Sequence, residues 1–216
     1  NSFFSLLSIS DCLRVEDVEE QGAIQLFIDF LQRFDKPKLQ SEAAWCCSAI
    51  AGGSSQDTKV VVDAGIIPIL SQLLHKSRDE NTLQNTLDAI SNIACDCVTY
   101  RDMCLKENIL QQVIKIIESN PDTLILRSAA SAISSLCGGN HQPLQVSKAA
   151  LPVIAKLLRH SDDDAVESAC WAASYLSQGD NTRIQAIVDH SMVGQLVNLL
   201  QHQKSKIQSP ALKTVG

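Results

Sequence analysis

The stretch Ser41–Lys59, SEAAWCCSAIAGGSSQDTK, decides the fold. It opens as one helix of small residues around a single large aromatic, Trp45. Gly52-Gly53 closes it, and a polar turn follows. The pattern returns as NTLDAISNIACD from Asn85, SAASAISSLCGG from Ser128 and SACWAASYLSQG from Ser168. Aligned on Ile50, Ile93, Leu136 and Leu176, the copies lie 43, 43 and 40 residues apart. A period of about 40–47 residues marks helical units that stack into one solenoid with a continuous core.

A second periodic element runs in step with the first. Ile24, Ile67, Leu110, Leu151 and Val193 each begin a stretch with apolar residues three, six and seven positions on, at spacings of 43, 43, 41 and 42. Such a stripe predicts an amphipathic helix of about three turns. Gly22 and Gly65 stand two residues before two of these starts and allow a tight turn, and Pro68 falls in a first helical turn, where its missing N–H costs nothing. Polar links follow at Phe34–Pro37, Lys76–Glu80, Ser119–Asp122 and Ser161–Asp164, each leading through a short helix into the small-residue one. The acids of Ser161–Asp164 read as helix N-terminal caps and not as a metal or acid–base cluster. After each small-residue helix a loop and another short helix are expected, at Thr58–Asp63, Thr99–Leu105, Gln142–Lys148 and Thr182–Asp189.

A three-helix unit of this period resembles the armadillo repeat and not the two-helix HEAT repeat. The predicted fold is all-α, a right-handed α-solenoid of about four to five three-helix armadillo repeats. It forms a single array over 1–216 with boundaries near 1–35, 36–78, 79–120, 121–161, 162–204 and a partial 205–216. Neither end reads as a polar capping repeat, so the array is expected to be a piece of a longer one.

Composition narrows the function. Hydrophobic content of 45% with only 4% aromatics suits Leu/Ile/Val/Ala helices and argues against disorder. No apolar run approaches the roughly 18 residues that span a bilayer, and no signal peptide opens the chain, so a soluble protein is expected. A net charge of −6 is a poor match for phosphate backbones and a better one for a basic partner. Of the eight cysteines, Cys46, Cys47, Cys137 and Cys170 fall in the small-residue helices, where a thiol acts as a compact hydrophobe. Reduced thiols fit the cytosol or nucleus. Cys95, Cys97 and Cys104 lack the second pair or nearby histidine of a zinc site, so neither metal nor cofactor is expected. The histidines lie in links or at helix ends without a matching nucleophile, and no strand precedes a glycine-rich loop, so no catalytic residues are assigned.

Stacked units place equivalent positions of the small-residue helix in a ladder along one concave face. At the Trp45 offset the ladder reads Trp45, Asp88, Ser131, Trp171, Lys213; four residues on it reads Ala49, Asn92, Ser135, Tyr175. EAAW, TKVVVDAGIIPIL (Thr58–Leu70), SNIACD (Ser91–Asp96), SACWAASYL (Ser168–Leu176) and SPALKTVG (Ser209–Gly216) resemble importin-α, the nuclear-import adaptor family, in register from about Glu16 to Gly216.

The resemblance implies a groove for an extended Lys/Arg-rich nuclear localisation signal. In the family, tryptophan rings take the basic stems and asparagines bind the peptide backbone. A ring face attracts a cation, and long basic side chains pack through their methylenes. Carried over residue by residue, the peptide-binding positions are Trp45, Gly53, Thr58, Asn92, Asp96, Trp171 and Tyr175. Gly53, Thr58 and Asp96 match the pocket for the key lysine. The departures are Ala49 and Ser135 at asparagine positions, Asp88 and Ser131 at tryptophan positions, and Gly138 where the family carries an arginine. They imply weaker or altered peptide binding. Importin-β is the further partner expected, through a basic N-terminal segment that nothing in this chain matches, with cytoplasmic and nuclear residence. The alternative is a divergent armadillo scaffold with a different protein partner.

Overall fold

The computed structural model describes residues 22–139, 144–178 and 181–216. Cys12, the SFFSLLSIS segment and the Glu16–Gln21 lead-in therefore lie outside the described residues. In chain order the helices are α1 (Ala23–Leu31), α2 (Pro37–Ala51), α3 (Ser55–Asp63), α4 (Ile66–Lys76), α5 (Glu80–Asp96), α6 (Val98–Lys106) and α7 (Ile109–Glu118). They continue as α8 (Thr123–Cys137), α9 (Leu144–Leu157), α10 (Asp163–Ser177), α11 (Asn181–Asp189), α12 (Val193–Leu199) and α13 (Ser205–Val215). Among the described residues there is no strand. Among the described residues no single helix is long and apolar enough to cross a membrane.

The small-residue helices form one layer in which α2, α5, α8, α10 and α13 each pack on the next. Their composition explains the packing. Ala44, Cys47, Ala89, Ala129, Ala132, Cys170 and Ala172 are fully buried, and such short side chains let helix axes come close. The amphipathic helices form a second layer, α1 on α4, α4 on α7, and α7 on α9. They supply the bulk of the core through Leu31, Ile66, Leu70, Leu73, Leu110 and Val113. The result is a stack of units touching mainly their neighbours.

The buried thiols behave as hydrophobes. Burial pushes Cys47, Cys104, Cys137 and Cys170 up to about 12 and Cys46 to about 11, far from any reactive thiolate.

Helix starts follow the capping expectations. The carboxylates of Asp79, Asp122 and Asp162 accept backbone N–H groups from the first turns of α5, α8 and α10. Asp162 thereby takes the capping role read for the Ser161–Asp164 acids. Two expectations are corrected. The short helix predicted between each polar link and the small-residue helix is not separate: α2, α5, α8 and α10 run unbroken from their caps, because no glycine or proline interrupts them after the first turn. Of the short helix predicted at Gln142–Lys148, residues 142 and 143 lie outside the described residues, and the part from Leu144 on is fused into α9.

A single repeat position explains that fusion. Gly22, Gly65, Asn108 and Ser191, one or two residues before the amphipathic helices, adopt positive φ (69°, 84°, 56° and 54°) and turn the chain sharply. The equivalent residue in the fourth unit is Ala149, which belongs to α9. Alanine pays the full cost of a left-handed conformation and has the best helix propensity, so the helix continues through it.

Candidate functional site

The seven residues singled out in the sequence lie on two corners of the small-residue layer. The first corner is the turn between α2 and α3 together with the end of α5. Ser54 caps α3 in a reciprocal box with Asp57. A side chain at Gly53 would drive its Cβ to 2.6 Å from the Asp57 carboxylate, so glycine is what the box demands. Thr58 is buried, and its hydroxyl donates to the carbonyls of Ala51 (3.1 Å) and Ser54 (3.2 Å). That hydroxyl therefore holds the turn in shape.

Asp96 is the last residue of α5, where the carbonyl end of the helix already concentrates negative potential. Its Oδ1 accepts the Ser55 hydroxyl at 2.6 Å across 41 residues of sequence, which brings the carboxylate onto the Gly53–Thr58 turn of the preceding unit. The structure thus assembles Gly53, Thr58 and Asp96, and it adds Ser55, which sequence reasoning missed. Its signal was faint: a serine at the first position of a helix is usually counted as part of a cap.

Asn92 lies one turn before Asp96 on the same helix. Its amide donates to the Ser48 carbonyl at 3.0 Å, and its Nδ2 would be 2.9 Å from a Cβ at Gly52. Asn85 repeats this contact with Ser41 at 3.1 Å. Both amides thus tie α5 to α2. Trp45, half-buried on α2, packs against the core from the same face.

The second corner is on α10. The Trp171 and Tyr175 rings stack with centroids 6.0 Å apart and 28° between planes. Above Trp171 lies the ammonium of Lys213 from α13, 5.1 Å from the ring centroid. Between the corners opens a recess of about 400 Å³ whose lining includes Asp96, Ser131, Ser135, Glu167, Trp171 and Tyr175. Its floor is serine-rich: the Ser91 hydroxyl bonds Ser131 at 2.8 Å and Ser135 at 3.0 Å.

Arg101 closes the recess from behind and was also missed in the sequence. It is almost completely buried, donates to the Gly138 carbonyl, and holds the Asp102 carboxylate through Nε and Nη2. Gly139, at φ 78°, leaves room for it; a Cβ there would stand 2.8 Å from Nη1. Asp88, in the ladder position between Trp45 and Ser131, is half-buried beside Ser128, and that burial raises its carboxyl above the ordinary value. Among the described residues no cluster of histidine, cysteine and acidic side chains has the geometry of a metal site.

The armadillo/beta-catenin-like repeat model matches residues 54–95, 139–178 and 180–216, more than half of the chain. The chain belongs to the armadillo repeat family. The armadillo likeness inferred from period and helix count is therefore borne out, and so is the resemblance to importin-α. The chain is 39% identical over 215 residues to importin subunit alpha-1b of Oryza sativa subsp. japonica, covering 99% of this chain and 40% of the relative. It is 38% identical to importin subunit alpha-2 of Arabidopsis thaliana, covering 93% and 38%, and 36% identical to importin subunit alpha-B of Dictyostelium discoideum, covering 100% and 42%. The armadillo chain thus spans about two-fifths of the length of these relatives. Among solved structures, a designed armadillo repeat protein superposes with a TM-score of 0.89 at 21% identity, covering 98% of this chain and 89% of that one. Another, in complex with the peptide (KR)4, gives 0.84 at 23%, covering 93% and 84%. At these identities the likeness is one of fold.

Proposed function

We propose that this armadillo array is the cargo-binding part of a nuclear-import adaptor and takes an extended Lys/Arg-rich segment along the α2–α5–α8–α10–α13 face. The observation that carries this reading is the Asp96 corner. A carboxylate sits at the C-terminus of α5, paired among the described residues with a hydroxyl alone and backed by the carbonyl ends of α2 and α5, on the rim of an open recess. It presents hydrogen-bond acceptors and negative potential to a lysine ammonium, whose three donors need such partners. The Trp171–Tyr175 stack supplies an aromatic wall on the other side of the recess, against which an extended chain can pack. Similarity to importin-α subunits over nearly the whole chain, and a (KR)4 peptide held by a designed protein of the same fold, support the same class of ligand. In this reading the protein acts by binding and not by catalysis. It moves between cytoplasm and nucleus and meets importin-β through a segment outside these residues.

Fluorescence anisotropy with a labelled Lys-rich localisation peptide tests the proposal. Binding in the micromolar range or tighter is expected, with Asp96→Lys weakening it at least tenfold. A peptide that does not bind, or that ignores Asp96→Lys, would move the assignment to the second reading. That reading is an armadillo scaffold for another protein partner, and the serines in place of a Trp/Asn pair on α8 favour it.

A further inference from the structure

The charges left over on this face have a direction. On α5, Asp96 accepts the Ser55 hydroxyl and Asp88 lies half-buried beside Ser128, and among the described residues no cation pairs with either. Three helix steps away, α13 presents a group of the opposite sign. Of its lysines, Lys206 pairs with Asp164 and Glu167, and Lys204, which caps the helix, pairs with Asp163. Lys213 is exposed and has no carboxylate partner among the described residues; its ammonium rests on the Trp171 ring. The ladder position that offers an aromatic ring on α2 and α10 therefore offers an acid on α5 and a base on α13.

Lys213 changes what the Trp171 corner can accept. The ring face that would attract a ligand's cation already carries one from the protein itself. A second ammonium arriving there would meet like charge and would have to displace Lys213. A carboxylate would meet an exposed, unpaired ammonium held in place by the ring.

Resting on the reading of this face as a peptide groove, we propose that the groove is bipolar. Its partner is an extended segment with a basic cluster opposite Asp88 and Asp96 on α5 and an acidic residue opposite Lys213 on α13. The spacing follows from the stack. Adjacent helices pack about 8–10 Å apart, so the three steps from α5 to α13 cover about 24–30 Å. An extended chain advances about 3.3–3.6 Å per residue, which places the acidic residue about seven to nine positions from the basic cluster. The recess between them, lined by Ser131 and Ser135, has room for the intervening side chains.

The test uses the 216-residue chain and labelled peptides that share one Lys-rich cluster and differ at a single site, occupied by Glu, Ala or Lys. The site is scanned from six to ten residues beyond the cluster. At low salt the Glu peptide is expected to bind tightest and the Lys peptide weakest at the best spacing, with about a three- to tenfold difference between them. The order should compress as salt is added. Lys213→Glu, an exposed substitution whose folding is checked by helical circular dichroism, should reverse the order. Equal affinities for the three peptides, or tighter binding of the Lys peptide, overturn the bipolar groove and leave the import reading standing. Failure of every Lys-cluster peptide to bind the wild-type chain overturns the import reading itself.

Discussion

At the scale of single residues, the fold places a buried charged side chain behind the site. Arg101 buries a guanidinium that bonds the Gly138 carbonyl and the Asp102 carboxylate, and Gly139 is shaped around it. Removing the head group would break its bonds to the Gly138 carbonyl and the Asp102 carboxylate and open a void under the recess. Arg101→Met is therefore expected to lower the unfolding free energy by about 2–4 kcal/mol, measured by urea denaturation. Arg101→Lys should recover only part of the loss, because an ammonium cannot reproduce the planar fork. None of this was legible in the sequence, because the Gly138 carbonyl that Arg101 bonds lies 37 residues away in the next unit. Asp96 was legible because its place in SNIACD carried a family resemblance. Its anchor Ser55 was not, since the contact spans 41 residues and two units.

At the scale of elements, one repeat position shows how backbone chemistry sets helix boundaries. Asn108 holds φ 56° at the α6–α7 turn, while the equivalent Ala149 lies inside α9. Opposite responses to the same replacements follow. Asn108→Ala should cost about 1–2 kcal/mol, because a Cβ in the left-handed region is strained without the polar side chain, and Asn108→Gly should not. Ala149→Gly should cost about 1 kcal/mol by weakening a helix interior. Thermal melts of the three variants separate these outcomes. The apolar periodicity announced the starts of α1, α4, α7 and α12 to within a residue. It was silent on fusion at α9, where the deciding signal was the absence of a glycine or asparagine.

At the scale of the whole molecule, stability rests on ties between units. Arg127 of α8 reaches across to Asp162 and Asp164 at the start of α10, with 2.7 Å between Nη2 and the Asp162 carboxylate. The guanidinium holds the Asp162 carboxyl below its ordinary 3.8. A carboxyl lowered in the folded state stabilises it at pH values above 3.8, and that contribution fades as pH falls through the folded-state value. Asp162→Asn keeps a capping side chain but removes the charge. Its melting temperature should therefore lie below that of the wild type at pH 7, and the gap should close below about pH 4. A gap unchanged between pH 7 and pH 3 would mean that the cross-unit charge contributes nothing.

The sequence by itself determined the period, the all-helical unit, the armadillo likeness and the buried role of the small residues and thiols. All of these depend on spacing along the chain, and helix periodicity is a local property. Only the tertiary structure decided which groups meet across units: Ser55 with Asp96, Ser91 with Ser131 and Ser135, Arg101 with Gly138, and Lys213 with Trp171. These contacts depend on the stacking angle and on side-chain reach, which no single helix encodes. Trp171, read from the sequence as a slot for a partner's cation, carries a cation of its own, because α13 packs one step along the layer and Lys213 is long enough to cover the ring.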